Sequence, residues 1–200
     1  MEKEIFIASK NKGKISEFES FFKSKGLSVK SLLDLPEEVD VLEDGNTFEE
    51  NAIKKAETIG KKIGKPVLAD DSGLEVDALN GEPGIFSARY AGIEKSDDAN
   101  NEKLLNELTG IERERRTARF VCSLAIYFPT GEVKTVRGTC EGMIAETLQG
   151  EHGFGYDPLF YLPDVGMSMA QLEQEEKNRR SHRANALMKL AEHWQEWTTE

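Results

Sequence analysis

Residues 66 to 77 read PVLADDSGLEVD. Val67, Leu68 and Ala69 make an apolar run of strand type, and two adjacent aspartates, a serine and a glycine follow it. The pattern predicts a buried strand, Val67 to Ala69, that surfaces at Asp70 and Asp71. Neighbouring carboxylates repel each other and lose hydration there, so the arrangement is costly unless a cation or a proton offsets it. The pair suits a hard metal ion, because magnesium takes one or two carboxylates together with phosphate oxygens and water. An ordinary polar turn after a strand is the alternative that these residues leave open. Glu43, four residues before a helix cap at Thr47, is a third acid that folding can bring near.

Upstream, Ile5 to Ala8 predicts a short strand and Ser9-Lys10-Asn11-Lys12-Gly13-Lys14 a polar loop, after which Ile15, Phe18, Phe21 and Phe22 recur at helical spacing. Thr47-Phe48-Glu49-Glu50 matches a capping box, and Phe48, Ala52, Ala56, Ile59 and Ile63 form the apolar stripe of a helix ended by Gly64 and Pro66. Downstream, residues 81 to 84 (GEPG) mark a loop, and Asp97 to Leu108 predicts a helix with Leu104, Leu105 and Leu108 inward. From Ala118 the pattern turns to strand type: ARFVCSLAIYF, a turn at Pro129-Thr130-Gly131, then EVKTVRGTCEGMIA. A short strand follows at Leu159 to Leu162. Ser181 is placed to cap a last helix whose Leu187, Leu190, Ala191, Trp194 and Trp197 share a face. Helices and strands interleave early and a β meander follows, which predicts an α/β protein with a mixed, twisted sheet.

With 200 residues, 38% apolar and 8% aromatic, the chain can bury a real core as one folding unit. A formal net charge of -11 excludes a protein that wraps a nucleic acid polymer through a basic face. A small phosphorylated ligand stays compatible where lysines gather locally. The first apolar stretch is short, and no run approaches the roughly 18 apolar residues of a membrane span. The expectation is a soluble, cytoplasmic protein with no membrane partner. Cys122 and Cys140 lack CxxC spacing and read as buried thiols, and the three histidines have no partner at zinc-ligand spacing.

Other segments carry chemistry. The loop from Ser9 to Lys14 lies where a strand hands over to a helix, so its amides and the helix dipole favour an anion; a solvated lysine turn is the plainer reading. It is not a P-loop, since GxxxxGK[ST] is absent. Gly153-Phe154-Gly155-Tyr156-Asp157-Pro158 offers close backbone approach, aromatic faces and one acid, either to stack a planar base or to plug the core with its rings. Lys177 and Ser181-His182-Arg183 supply donors that suit a carbonyl-bearing ring edge or a phosphate.

Together, in this order, IASKNKGKISEF (7 to 18), EDGNTFEENAIKKA (43 to 56), PVLADDSGLEVDALNGEPGIFSARYAG (66 to 92), GFGYDPLF (153 to 160) and EEKNRRSHRANAL (175 to 187) resemble the inosine/xanthosine triphosphate pyrophosphatase family over almost the whole chain. The resemblance implies an elongated, two-lobed domain with a central cleft, spanning residues 1 to 200, that works as a homodimer. It also implies magnesium-dependent hydrolysis of ITP, dITP and XTP to the monophosphate and pyrophosphate, which clears deaminated purines from the nucleotide pool before they enter DNA or RNA. Carried over by position, Ser9, Lys10, Asn11, Lys12, Gly13, Lys14 and Lys55 hold the triphosphate. Glu43 and Asp71 hold the metal, Asp71 also activates water, and Ser72 touches substrate. Phe154, Gly155, Tyr156, Asp157, Lys177, His182 and Arg183 form the base pocket. The chain departs from the family pattern at Glu151-His152, at Arg180, at Ala184 and across Met167 to Gln171, positions that bear on substrate preference and lobe closure rather than on the reaction.

Overall fold

The structure, a computed structural model, describes residues 4–37 and 39–198. In chain order it contains β1 (Glu4–Ile7), α1 (Lys12–Ser24), β2 (Ser28–Ser31), α2 (Phe48–Ile63), β3 (Val67–Val76), α3 (Asp97–Glu107), β4 (Thr117–Tyr127), β5 (Val133–Ile144), β6 (Phe160–Leu162), β7 (Met167–Ser168), α4 (Gln174–Arg180) and α5 (His182–Thr198). Among the described residues the strands make one sheet in the order β2-β1-β3-β4-β5-β6-β7. The helical crossovers through α1 and α2 give parallel pairing of β1 with β2 and with β3, because parallel neighbours need a long connection. Short turns join β4 to β5 and β6 to β7, a longer loop joins β5 to β6, and β6 pairs antiparallel with β5 and β7. The sheet is therefore mixed, as the interleaving predicts. No described helix is long and apolar enough to cross a membrane.

The strand at 67 does not surface where the sequence predicts. It runs ten residues, Val67–Val76, straight through the aspartates, with Asp70 2% and Asp71 7% exposed. The carboxylates stay in the sheet because each meets a lysine ammonium inside the fold, so the strand has no need to deliver them to water. Two further elements escape the sequence pattern. SVKS (β2) carries one apolar residue yet pairs with β1 in register from Glu4↔Ser28 to Ile7↔Ser31; as an edge strand it needs no alternating apolar face. QEEKNRR (α4) has no apolar stripe and is held by pairs such as Arg179 with Glu175 and Arg180 with Glu176.

By contacts the chain divides into two units: Met1–Asp71, Ser123–Arg137 and Ala186–Glu200 form the first, and Ser72–Cys122 and Gly138–Asn185 the second. In the first, the stripe of α2 is buried as its periodicity predicts at Phe48, Ala52, Ala56 and Ile59, with Ile63 partly buried; Ala52, Ala56 and Ile59 cluster with Phe6, Val67, Ala125 and Tyr127. Phe18 and Phe22 of α1 are fully buried, and Phe22 meets Trp194 of α5 at 5.2 Å between ring centroids. Truncating either phenylalanine to alanine costs about 3–5 kcal/mol. In the second unit Leu74, Val76, Leu104, Leu108, Phe120 and Phe160 form the core. Both cysteines are buried there or at its border without a disulfide, and burial pushes the Cys140 thiol up to about 11, so neither suits a nucleophile's role.

Candidate active site

The first cluster grows out of α2. Thr47 Oγ1 accepts from Glu50 N at 3.1 Å, so the predicted cap forms, but the Glu50 carboxylate reaches Asn46 N at 2.7 Å rather than the amide of Thr47. That cap fixes the first turn, and one position later comes Asn51, 1% exposed. Its side chain joins two segments: Oδ1 accepts from Gly45 N at 2.8 Å, and Nδ2 donates to Asp71 Oδ2 at 3.1 Å. A Cβ on Gly45 would lie 2.7 Å from that oxygen, so the 43–47 loop can approach Asn51 only as glycine. One turn along the same face, Lys55 Nζ lies 3.2 Å from Asp71 Oδ1 and 3.4 Å from Glu43 Oε2. Glu43 and Asp71 therefore converge, as the sequence reading requires, and a cation already bridges them.

Successive strand residues face opposite sides. Accordingly Asp70 turns away from α2 and pairs with Lys14 of α1 at 2.7 Å. The loop that carries Lys14 fastens itself: Asn11 N donates to Ser9 Oγ and Lys14 N to Asn11 Oδ1, each at 3.1 Å, and Asn11 is the cap of α1. Lys12, Gly13 and Lys14 thus form the first helical turn rather than a free loop. Lys10, Lys12 and Gly13 are exposed beside it.

Three carboxylates (Glu43, Asp70, Asp71) and two ammonium groups (Lys14, Lys55) make this cluster, leaving an excess of negative charge. Burial pushes the Asp71 carboxyl above the ordinary carboxylate range; Lys55 opposes that, Glu43 adds to it, and Asn51 and Lys14 oppose it. Burial alone would pull Lys55 down, but the Asp71, Asp70 and Glu43 charges outweigh it and raise the ammonium, which stays charged. No group of three or more His, Cys, Asp or Glu side chains near enough to hold a metal occurs among the described residues. A pair of carboxylates that already shares one cation nevertheless fits magnesium, which takes its remaining ligands from phosphate and water. Asn51 escaped the sequence reading. Its signal was available: a polar residue beside Ala52 in the apolar stripe of α2.

The second cluster lies within the second unit. Asp157 is 5% exposed and Lys177 7%, and Lys177 Nζ meets Asp157 Oδ2 at 2.5 Å. The same oxygen accepts from Phe154 N at 3.0 Å. Gly153 has φ +87°, and a Cβ there would lie 2.1 Å from that oxygen, so the loop closes over the pair only with glycine. The Phe154 ring is 42% exposed and lies 5.3 Å from Lys177 Nζ. Tyr156 does not offer a second stacking face. It is 5% exposed, with its hydroxyl donating to Ser87 O at 2.7 Å, so of the two rings one faces outward and the other anchors the loop in the core. His182 stacks on Phe120 at 5.0 Å, and Ser181 caps α5 through Ala184 N. Arg183 is 1% exposed, and its Nη2 donates to Ser72 Oγ at 3.3 Å. Ser72 directly follows Asp71 in the sequence of β3.

Comparison with known proteins finds relatives over nearly the whole chain. A dITP/XTP pyrophosphatase of Geobacillus kaustophilus is 57% identical over 97% of this chain and 95% of its own length. One of Bacillus licheniformis is 56% identical over 94% and 96%. The Staphylococcus aureus Ham1 protein has a similar structure, with TM-score 0.89 at 50% identity over 98% of this chain and all of its own. The model of the Ham1 family matches residues 5–193, and the chain belongs to that family.

Proposed function

We propose that this chain is a dITP/XTP pyrophosphatase, a hydrolase that cuts deaminated purine nucleoside triphosphates to the monophosphate and pyrophosphate. The observation that carries this reading is the convergence of Glu43, Lys55 and Asp71, with Asn51 holding Asp71 from the other side. Phosphoryl transfer needs mainly positioning and charge neutralisation, which such a cluster supplies. Magnesium held by Glu43 and Asp71 would draw charge from the phosphate oxygens. The Asp71 carboxylate, raised by burial, is suited to accept the proton of the attacking water. Asn51 keeps one of its oxygens engaged and so orients the other. Lys14, Lys55 and the Ser9–Asn11 turn bind the leaving pyrophosphate; an arriving phosphate offers Lys14 an alternative to Asp70 and Lys55 an alternative to Glu43.

The base is read by the second cluster. Phe154 supplies the stacking face, and Lys177 and His182 are the donors for a six-oxo group, where an amino group would leave donor facing donor. Arg183, enclosed and bound to Ser72, holds Ser72 against its part of the substrate. The assembly proposed is a cytoplasmic homodimer, supported by the family resemblance and by the exposure of Phe86 (52%) and Ile93 (90%) on one segment. Sedimentation equilibrium tests it: a monomer at micromolar concentration rejects it.

The reaction is tested by assaying pyrophosphate release over a panel of dITP, XTP, dATP, dGTP and dCTP, with magnesium and with EDTA. The reading expects release from dITP and XTP only with the metal, and at least about 10²-fold lower kcat/KM for dATP. Release of orthophosphate, or equal rates across the panel, rejects it.

A further inference from the structure

The loop that carries Phe154 is held from outside as well as by its neighbour Asp157. Gly155, the residue after it, has both backbone polar groups taken by α3: its N–H donates to Asp97 Oδ2 at 2.7 Å, and its C=O accepts from Asn101 Nδ2 at 2.9 Å. Asp97 and Asn101 are one helical turn apart, so a single face of α3 grips the backbone of one residue on both sides of its Cα. The grip sits between Phe154, whose N–H is fixed by Asp157, and Tyr156, whose hydroxyl is fixed by Ser87. α3 is itself anchored. Leu104 is fully buried, and Asn100 accepts from Ala91 N at 2.7 Å and donates to Ala88 O at 3.3 Å.

The chemistry of the two side chains exceeds what packing needs. Asp97 makes a charge-assisted bond to a backbone amide from an exposed position, where water competes and an alanine would fit as well. Asn101 is 4% exposed, and its Oδ1 has no hydrogen-bond partner among the described residues, so a leucine would fill the place without burying a half-used amide. Both residues make sense as holders of the Gly155 backbone.

We infer that Asp97 and Asn101 are positioning residues for base selection: they fix the Gly155 backbone so that the Phe154 ring and the Asp157–Lys177 pair keep one spacing for the incoming purine. The inference rests on the reading of the Phe154 loop as the base site. It assigns these residues to discrimination between bases and not to the chemistry at phosphorus, which belongs to the other cluster.

The test compares Asp97→Ala, Asp97→Asn, Asn101→Leu and the double variant Asp97→Ala with Phe154→Leu, in the full chain, using dITP and dATP. For Asp97→Ala the KM for dITP is expected to rise about tenfold with kcat within about twofold, and the dITP:dATP ratio of kcat/KM to fall by a similar factor. Asp97→Asn keeps an acceptor oxygen and is expected to restore most of the ratio. In the Phe154→Leu background, Asp97→Ala is expected to change the ratio by less than about twofold, since the two act through one group. Equal losses for both substrates, an unchanged ratio in a folded Asp97→Ala protein, or additive effects in the double variant overturn the inference. Should Asn101→Leu fail to fold, the Asp97 series decides alone. A wild-type protein that does not prefer dITP refutes the base-site reading itself, which separates that failure from this one.

Discussion

The two clusters are built on opposite electrostatic plans. In the first unit, Glu43, Asp70 and Asp71 share Lys14 and Lys55, so negative charge is left over. In the second, Asp157 and Lys177 balance one to one beneath a phenylalanine ring, and the surrounding loop is fixed by backbone hydrogen bonds. An unbalanced cluster is costly until a cation and an anionic substrate complete it, whereas a balanced pair needs no counter-charge and is left to match or mismatch the shape and hydrogen-bonding edge of a base. The contrast separates labour: the first should govern turnover, the second should govern which base is accepted.

Asp71→Asn strikes the first cluster hardest. It keeps the side-chain volume and the Asn51 contact but removes both the negative charge and the proton acceptor, so kcat is expected to fall by about 10³-fold or more while the fold survives. Pyrophosphate release together with a thermal melt checks it; a folded variant with near-normal turnover would break the division outright. Lys55→Ala is expected to lose about 10²-fold in kcat/KM. It also sharpens the comparison, because removing the ammonium leaves Glu43 and Asp71 facing each other without their shared cation. Manganese binding without nucleotide, followed by electron paramagnetic resonance, should therefore tighten in this variant; unchanged or weaker binding would show that Lys55 does not compete for the metal position. Asn51→Leu should lower kcat about tenfold through loss of the Asp71 orientation, with KM much less affected.

How much of this the sequence discloses depends on the kind of force at each position. Periodic burial is legible: the stripes of α2 and α3, the Ser181 cap and the mixed sheet are where spacing and turn residues put them. The convergence of Glu43 with Asp71 is expected from the family motif, and the structure supplies its reason in Asn51 and Gly45, which strap the 43–47 loop to β3. What pattern could not show is compensation across the fold. Asp70 and Asp71 look like a strand end because nothing local shields them; they lie mid-strand because Lys14 and Lys55 arrive from two different helices. Tyr156 and Phe154 look alike in sequence, and only the position of Ser87 O decides which ring is the anchor. β2 and α4 are set by pairing and by surface ion pairs, neither of which leaves an apolar period.

The smallest expected effect, and the most selective, comes from Gly153→Ala. Its new methyl group would lie 2.1 Å from Asp157 Oδ2 and 2.6 Å from Lys177 Nζ, and the φ of +87° disfavours any side chain there. The pair must shift, and the Phe154 amide, bound to that same oxygen, must shift with it. The hydrogen bonds that hold this loop come from Asp157, Asp97 and Asn101 of the same unit, so kcat for dITP should stay within about twofold while the dITP:dATP ratio drops roughly three- to tenfold. The opposite pattern, a preserved ratio with kcat reduced, would mean that the balanced cluster takes part in the chemistry and that the division between turnover and base choice is false.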